Sequence, residues 1–317
     1  MIEVKNLTKQ FGPKTAVDDI SFSVKKGEVL GFLGPNGAGK STTMRMITGF
    51  IPPTVGEIKI DGLDALESPR QAKAKIGYLP ENAPLYSDMA VTDFLAFCGE
   101  IRGIKGKELE EAVEKAIGMC FLEKVRNQNV DTLSKGFKHR TCLAQSILHD
   151  PDILILDEPT DGLDPNQKAE ARALIRRMGE EKAIIFSTHI LEEVDAVCSR
   201  AIIIDQGKVV ADGTPEELRS KAEGAGDYKV TVHGASGSDI RSALEGLANV
   251  DSVIEIQSGG TSFKGIVRPK GSASAAEGIF GLCKDRGWSL EELGLEEGRL
   301  DLMFRQITMS ETENKAA

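Results

Sequence analysis

The chain has 317 residues, 40% of them hydrophobic and 28% charged, which supplies a packed core, leaves room for two domains and excludes a disordered protein. Its formal net charge of −10 excludes a broad nucleic-acid-binding surface, so a polyanionic ligand has to be held by a local device and not by the general field. The five cysteines, Cys98, Cys120, Cys142, Cys198 and Cys283, form no CxxC pair and have no histidine cluster beside them, so they read as reduced core thiols and not as zinc ligands.

The opening "MIEVKNLTKQF" lacks the basic-then-apolar plan of a signal peptide. The longest apolar runs, such as "DILIL" and "RAIII", are far too short to span a bilayer. The expectation is a cytoplasmic protein that reaches a membrane only through a partner.

The first local device lies in "GEVLGFLGPNGAGKSTTMRMITG". The pattern predicts a buried strand over 28–33, a loop, and a helix from about Gly39. The loop Gly34-Pro35-Asn36-Gly37-Ala38-Gly39-Lys40-Ser41 fits G-x-x-x-x-G-K-[ST]. Small residues let the backbone wrap a phosphate with its N–H groups turned inward, and the following helix adds its positive end. In that frame Lys40 reaches the β and γ phosphates of a nucleotide, and Ser41 binds Mg2+.

Residues 85–148 read as mostly helical, as in "KELEEAVEKAIGMCFLEKV", with acids and bases along one face. Near their end, "TLSKGFKHRTCLAQSIL" places Ser134, Lys135 and Gly136 in a turn. A helix is predicted from Lys138, with Cys142, Leu143 and Ile147 at helical spacing. Next, "PDILILDEPTDGLDP" gives a buried strand over 153–156 that ends in Asp157 and Glu158, and Pro159 stops it. Two acids at the tip of a buried strand are costly unless a cation or a reaction uses them. Asp157 would hold Mg2+ through water, and Glu158 would polarise an attacking water. A third strand, in "KAIIFSTHILEEV", ends at Ser187-Thr188-His189, on the edge where open α/β sheets bind ligands, so His189 is a candidate contact to a γ-phosphate. His139, His149 and His233 have no such placement and read as ordinary.

After "DQGKVVADGTPEELRSKAEG" glycine and serine become frequent. The pattern predicts strand 228–233, helix 238–248, strands 251–257 and 262–268, helix 273–286 and strand 288–293, a βαββαβ order that suggests a small ferredoxin-like sandwich. The last amphipathic stretch, "GRLDLMFRQIT", is expected to pack on it, with a frayed polar tail over 309–317. No acid, base or metal constellation stands out in this part.

In this order the motifs resemble those of the nucleotide-binding subunit of ABC transporters, over roughly residues 1–215. "GPNGAGKST" is similar to the family's Walker A motif, "ILILDE" to its Walker B, "DGLD" to its D-loop and "STH" to its H-loop, while "TLSKG" stands in place of its LSGGQ signature. "IGYLPENAPLYSDMAVTDFL" and "LSKG" look most like the branch that pairs with ABC-2-type permeases, including gliding-motility-type transporters.

The resemblance implies an α/β P-loop ABC ATPase core with a β-rich N-terminal part over 1–220. It further implies a helical subdomain near 85–148 that docks the permease. For the accessory α+β ferredoxin-like domain that the pattern gives over 221–308, the similar C-terminal extensions of this branch imply a regulatory or dimer-supporting role, with a stabilising appendage as the alternative. It implies ATP bound by Phe11, stacked on adenine, and by Gly34, Pro35, Asn36, Gly37, Ala38, Gly39, Lys40, Ser41 and Thr42. Mg2+ would be held by Ser41, Asp157 and Glu81. Glu81 replaces the family's usual glutamine, keeping an oxygen and losing the amide donors. Glu158 and His189 would be catalytic. Ser134, Lys135 and Gly136 would cap the γ-phosphate of a second subunit, a homodimer being the simplest pairing, and Asp164 would communicate across that dimer. Backbone donors do not depend on side-chain identity, so Lys135 and Phe137 leave the capping turn functional. Two rivals share the motifs: a soluble ABC ATPase acting on ribosomes or DNA, and an ATP-binding module that regulates without turnover.

Overall fold

The computed structural model describes residues 1–82, 84–221, 224–271 and 274–296; the stretch "GRLDLMFRQIT" and the tail 309–317 lie outside the described residues. The chain divides into two compact units, Met1–Pro215 and Glu216–Ala317.

The first unit begins with strands β1 (Ile2–Phe11) and β2 (Lys14–Val24), followed by β3 (Val29–Leu33) and helix α1 (Lys40–Ile47). Then come β4 (Val55–Ile60), β5 (Leu63–Asp64), α2 (Pro69–Ala74) and β6 (Ile76–Leu79). Three helices follow, α3 (Val91–Ile101), α4 (Gly106–Met119) and α5 (Lys135–Ile147). The unit is completed by β7 (Ile153–Asp157), α6 (Pro165–Gly179), β8 (Ala183–Thr188), α7 (Leu191–Val197), β9 (Arg200–Asp205) and β10 (Lys208–Gly213), with α8 (Pro215–Ser220) crossing into the second unit.

Two sheets share one core. The N-terminal sheet has the order β2-β1-β4-β5, and the larger one has the order β10-β9-β3-β8-β7-β6. Strands β9, β3, β8, β7 and β6 are parallel, with β10 antiparallel at the edge. Every residue of β3, β7 and β8 is buried, as expected of parallel strands covered on both faces, which read as continuous apolar runs. Ile2, Val4, Leu7, Phe22 and Ile58 of the first sheet pack with Leu30, Phe32, Ile155 and Ile185 of the second and with Met44 and Ile47 of α1.

Helix α5 begins at Lys135, earlier than the Lys138 read from the sequence. Ser134 caps it: its backbone is extended, and its Oγ accepts the Phe137 N–H at 3.4 Å. The far end of α5 lies hard against β6. A β-carbon at Gly77 would stand 2.1 Å from the Ser146 carbonyl oxygen, so only glycine lets helix and strand backbones approach this closely.

The second unit runs β11 (Tyr228–His233), α9 (Gly237–Glu245), β12 (Val250–Gly259), β13 (Ser262–Pro269), α10 (Ala276–Arg286) and β14 (Ser289–Leu295). The sheet order is β12-β13-β11-β14 and all pairings are antiparallel, the split βαβ topology of a ferredoxin-like domain. Its core is Val230, Val232 and Phe263 against Ile240, Leu244 and Ile279. All five cysteines are free thiols, and four of them are buried.

Candidate active site

The register of the parallel sheet brings three strand ends side by side. Leu33 of β3 pairs with Thr188 of β8, and Asp157 of β7 pairs with Ser187. The chain therefore leaves the sheet at Gly34, Glu158 and His189 on one edge, where ligands of open α/β sheets bind.

The loop from Gly34 to Gly39 is shaped by its glycines. A β-carbon at Gly34 would lie 2.4 Å from the Ile204 carbonyl oxygen. Gly39 sits at φ 109, where a β-carbon would lie 2.6 Å from the Ala16 carbonyl oxygen. Helix α1 starts at the next residue, so its unsatisfied N–H groups face the loop. The Lys40 ammonium, 5% exposed, donates to the Gly34 carbonyl at 2.7 Å and the Pro35 carbonyl at 3.3 Å, and stands 3.5 Å from Oε1 of Glu158.

Asp157 is buried beneath the cleft, and its Oδ1 accepts Ser187 Oγ at 2.5 Å and Ser41 Oγ at 3.3 Å. Glu158 follows in the left-handed region at φ 52, strained for a side chain of this size. Its N–H donates to Ser187 Oγ at 3.0 Å, and its Oε2 lies 2.9 Å from Nδ1 of His189. Burial raises the Glu158 carboxyl above its usual range, with His189 and Lys40 pulling against that shift.

A cleft of about 650 Å³ opens over these groups. It brings Phe11 together with Pro35, Asn36, Gly37, Gly39, Lys40, Ser41 and Thr42, and with Glu81, Glu158 and His189. Gly34 and Ala38 do not line it, and Ala38 is buried. Phe11, the last residue of β1, is half exposed, with the Lys9 ammonium 5.1 Å from its ring centroid.

Ser134, Lys135, Gly136 and Asp164 lie outside this cleft. Lys135 Nζ is 2.8 Å from Oδ2 of Asp161, so its charge is engaged within its own chain. Asp164 caps α6, its Oδ1 accepting the Gln167 N–H at 2.9 Å. Sequence reading passed over Lys14, Ala16 and Asp161, which also line the cleft. The signal for Asp161 was its place four residues after Asp157.

The oxygen donors fit a hard cation. The Ser41 hydroxyl meets the Asp157 carboxylate, and Glu81 borders the same cleft. Among the described residues no group of three or more His, Cys, Asp or Glu converges as a complete metal site. A serine hydroxyl and carboxylates are the kind of donor that hard divalent cations take.

Residues 17–161 match the ABC transporter family. The linearmycin resistance ATP-binding protein LnrL of Bacillus subtilis (strain 168) is 36% identical over 254 residues, covering 80% of this chain and 81% of its own. The chain belongs to the ABC transporter ATP-binding family. The probable multidrug ABC transporter ATP-binding protein YbhF of Escherichia coli (strain K12) is 40% identical over 228 residues; these cover 72% of this chain but 39% of YbhF, so the chain spans about two fifths of that relative. Among solved structures, an ATP-binding subunit of an ABC transporter superposes with a TM-score of 0.65 at 29% identity, covering 70% of this chain and 92% of its own. No described helix is long and apolar enough to cross a membrane.

Proposed function

We propose that the chain is the ATPase subunit of a membrane exporter, pairing with a second nucleotide-binding subunit to sandwich two ATP–Mg2+ and to drive an ABC-2-type permease from the cytoplasmic face. The observation that carries this reading is the convergence of Lys40, the Ser41–Asp157 pair and the Glu158–His189 pair at three adjacent strand ends, under a cleft flanked by Phe11. The similarity to a probable multidrug ABC transporter protein, to a linearmycin resistance protein and to a Nod factor export ATP-binding protein of Burkholderia lata supports export.

Each residue then has a role set by its position. Phe11 offers its exposed ring to adenine. The loop N–H groups and the start of α1 receive the phosphates, and Lys40 exchanges its carbonyl partners for phosphate oxygens. Ser41 and Asp157 would hold Mg2+ with Glu81 beside them; the ion would offset the phosphate charge. Glu158 orients and polarises the attacking water, and His189 contacts the γ-phosphate. In the closed dimer, Ser134, the backbone of Lys135 and Gly136, and the N-terminus of α5 cap the nucleotide of the partner, with Asp164 near the same interface. Tighter binding of ATP by the closed pair performs the work, and hydrolysis reopens it.

The test is light scattering on Glu158→Gln with and without Mg-ATP, beside steady-state hydrolysis by the unaltered chain. A dimer that forms only with nucleotide, together with hydrolysis by the unaltered chain, supports the reading. A chain that binds ATP without turnover would favour the regulatory alternative.

A further inference from the structure

We propose that Glu193 is a positioning residue for hydrolysis, setting the spacing of Glu158 and His189 from behind the cleft; this rests on reading the cleft as an ATPase site. Glu193 lies on α7 and is 1% exposed. Its Oε1 accepts the Thr160 hydroxyl at 2.5 Å, and its Oε2 accepts the Thr188 hydroxyl at 2.7 Å. Thr160 is two residues beyond Glu158, and Thr188 directly precedes His189. One carboxylate thus spends one oxygen on each of the two chain segments that carry the reacting side chains.

The surroundings hold the carboxylate in place. Lys168 of α6 places its ammonium 3.6 Å from Oε1, a counter-charge that a buried carboxylate requires. Thr188 Oγ1 also accepts the Ile190 N–H at 3.0 Å, which orients the hydroxyl toward Glu193. On the cleft side the same two segments meet again through Glu158 and His189, 2.9 Å apart. Glu158 has left regular strand geometry at φ 52, so its direction depends on what fixes the turn after it. None of Thr160, Thr188 and Glu193 lines the cleft, so substitutions there act without touching nucleotide.

The experiment measures kcat, KM and Mg-ATP affinity for Thr160→Val, Thr188→Val and Glu193→Gln, which preserve volume, and checks folding by thermal melting. The expected result is a fall in kcat of about 10–100-fold, the usual effect of losing an outer-shell partner, with KM and affinity changed less than about twofold. In a His189→Ala background the same substitutions should cost clearly less than in the unaltered chain, because the spacing they protect no longer matters. A kcat within about twofold of wild type, fully additive losses, or a parallel loss of affinity and folding would each overturn the proposal. Near-normal turnover in Glu158→Gln would instead overturn the underlying ATPase reading.

Discussion

The ammonium of Lys135 stands 2.8 Å from Oδ2 of Asp161, tying the turn that carries Ser134 to the turn that follows Glu158 within one subunit. The contact is more than a charge pair. Gly162 sits at φ 71, and a β-carbon there would be 2.6 Å from Cδ of Lys135, so the lysine stem lies flat on the glycine. Gly136 is pressed in the same way, with a β-carbon there 2.7 Å from Oε1 of Gln167.

Both partners are well exposed, so the ion pair itself contributes no more than about 1 kcal/mol. Lys135→Met should therefore leave thermal stability at pH 7 within about 1 kcal/mol of wild type. The Lys135 hydrogen bond holds the Asp161 carboxyl below its ordinary value of 3.8. A depressed carboxylate contributes stability above that value and loses it as pH falls through the folded pKa, so the variant should show a shallower acid-side loss. Melting curves from pH 7 down to pH 2 read both effects; a large loss at pH 7 would show that the stem packing dominates.

Glu158→Gln should cut turnover by about 10²–10⁴-fold, the range for removing a positioned general base. It should also raise the melting temperature at pH 7. The folded-state pKa is raised by burial, so the ionised form costs stability at neutral pH and protonation relieves that cost as pH falls. Glutamine removes it at all pH values. A glutamine variant that melts lower than wild type at pH 7 contradicts the sign.

Glycines of the loop should separate by what surrounds them. Gly39→Ala meets the Ala16 carbonyl and should abolish nucleotide binding and cost about 1–3 kcal/mol through overpacking. Gly37, at φ 85 with open space around it, should cost about 1–2 kcal/mol as alanine, from backbone conformation alone. Fluorescent-nucleotide titration with melting curves compares the two; equal losses of binding would argue against the steric account.

His149 predicts an acid-sensitive step remote from the cleft. Burial, aided by Arg102, lowers its pKa from 6.5 to about 4, and its Nε2 lies 3.2 Å from the Ile76 carbonyl oxygen. The unfolded chain takes up the proton first, so stability is full above about pH 6.5 and declines toward pH 4. His149→Gln should flatten that decline in denaturant midpoints measured across the window.

The strands under the cleft were legible because burial on both faces makes β3, β7 and β8 unbroken apolar runs, and because Lys40, Asp157, Glu158 and His189 stand at their ends, where polar residues need a reason. Glu193 was not legible. In "HILEEVDAV" it is identical to its neighbour Glu192, yet Glu192 is exposed and Glu193 is buried beside Val194 and Val197, and its partner Thr160 is distant in sequence. The pairing of Asp161 with Lys135 was not legible either, since the two lie 26 residues apart, although the position of Asp161 four residues after Asp157 was. The start of α5 was placed late because Gly136 weakens the helical pattern, while the Ser134 cap that overrides it depends on backbone geometry.

The bare contact at Gly77 gives α5 a mechanical character. Its 13 residues make a rod of roughly 20 Å. One end carries the Ser134 turn, and the last turn is seated on β6 with no side chain to cushion it. Strand β6 leads within two residues to Glu81. The Ser134 turn and the segment bearing Glu81 are therefore joined by one helix and one backbone contact, a path that runs outside the nucleotide cleft.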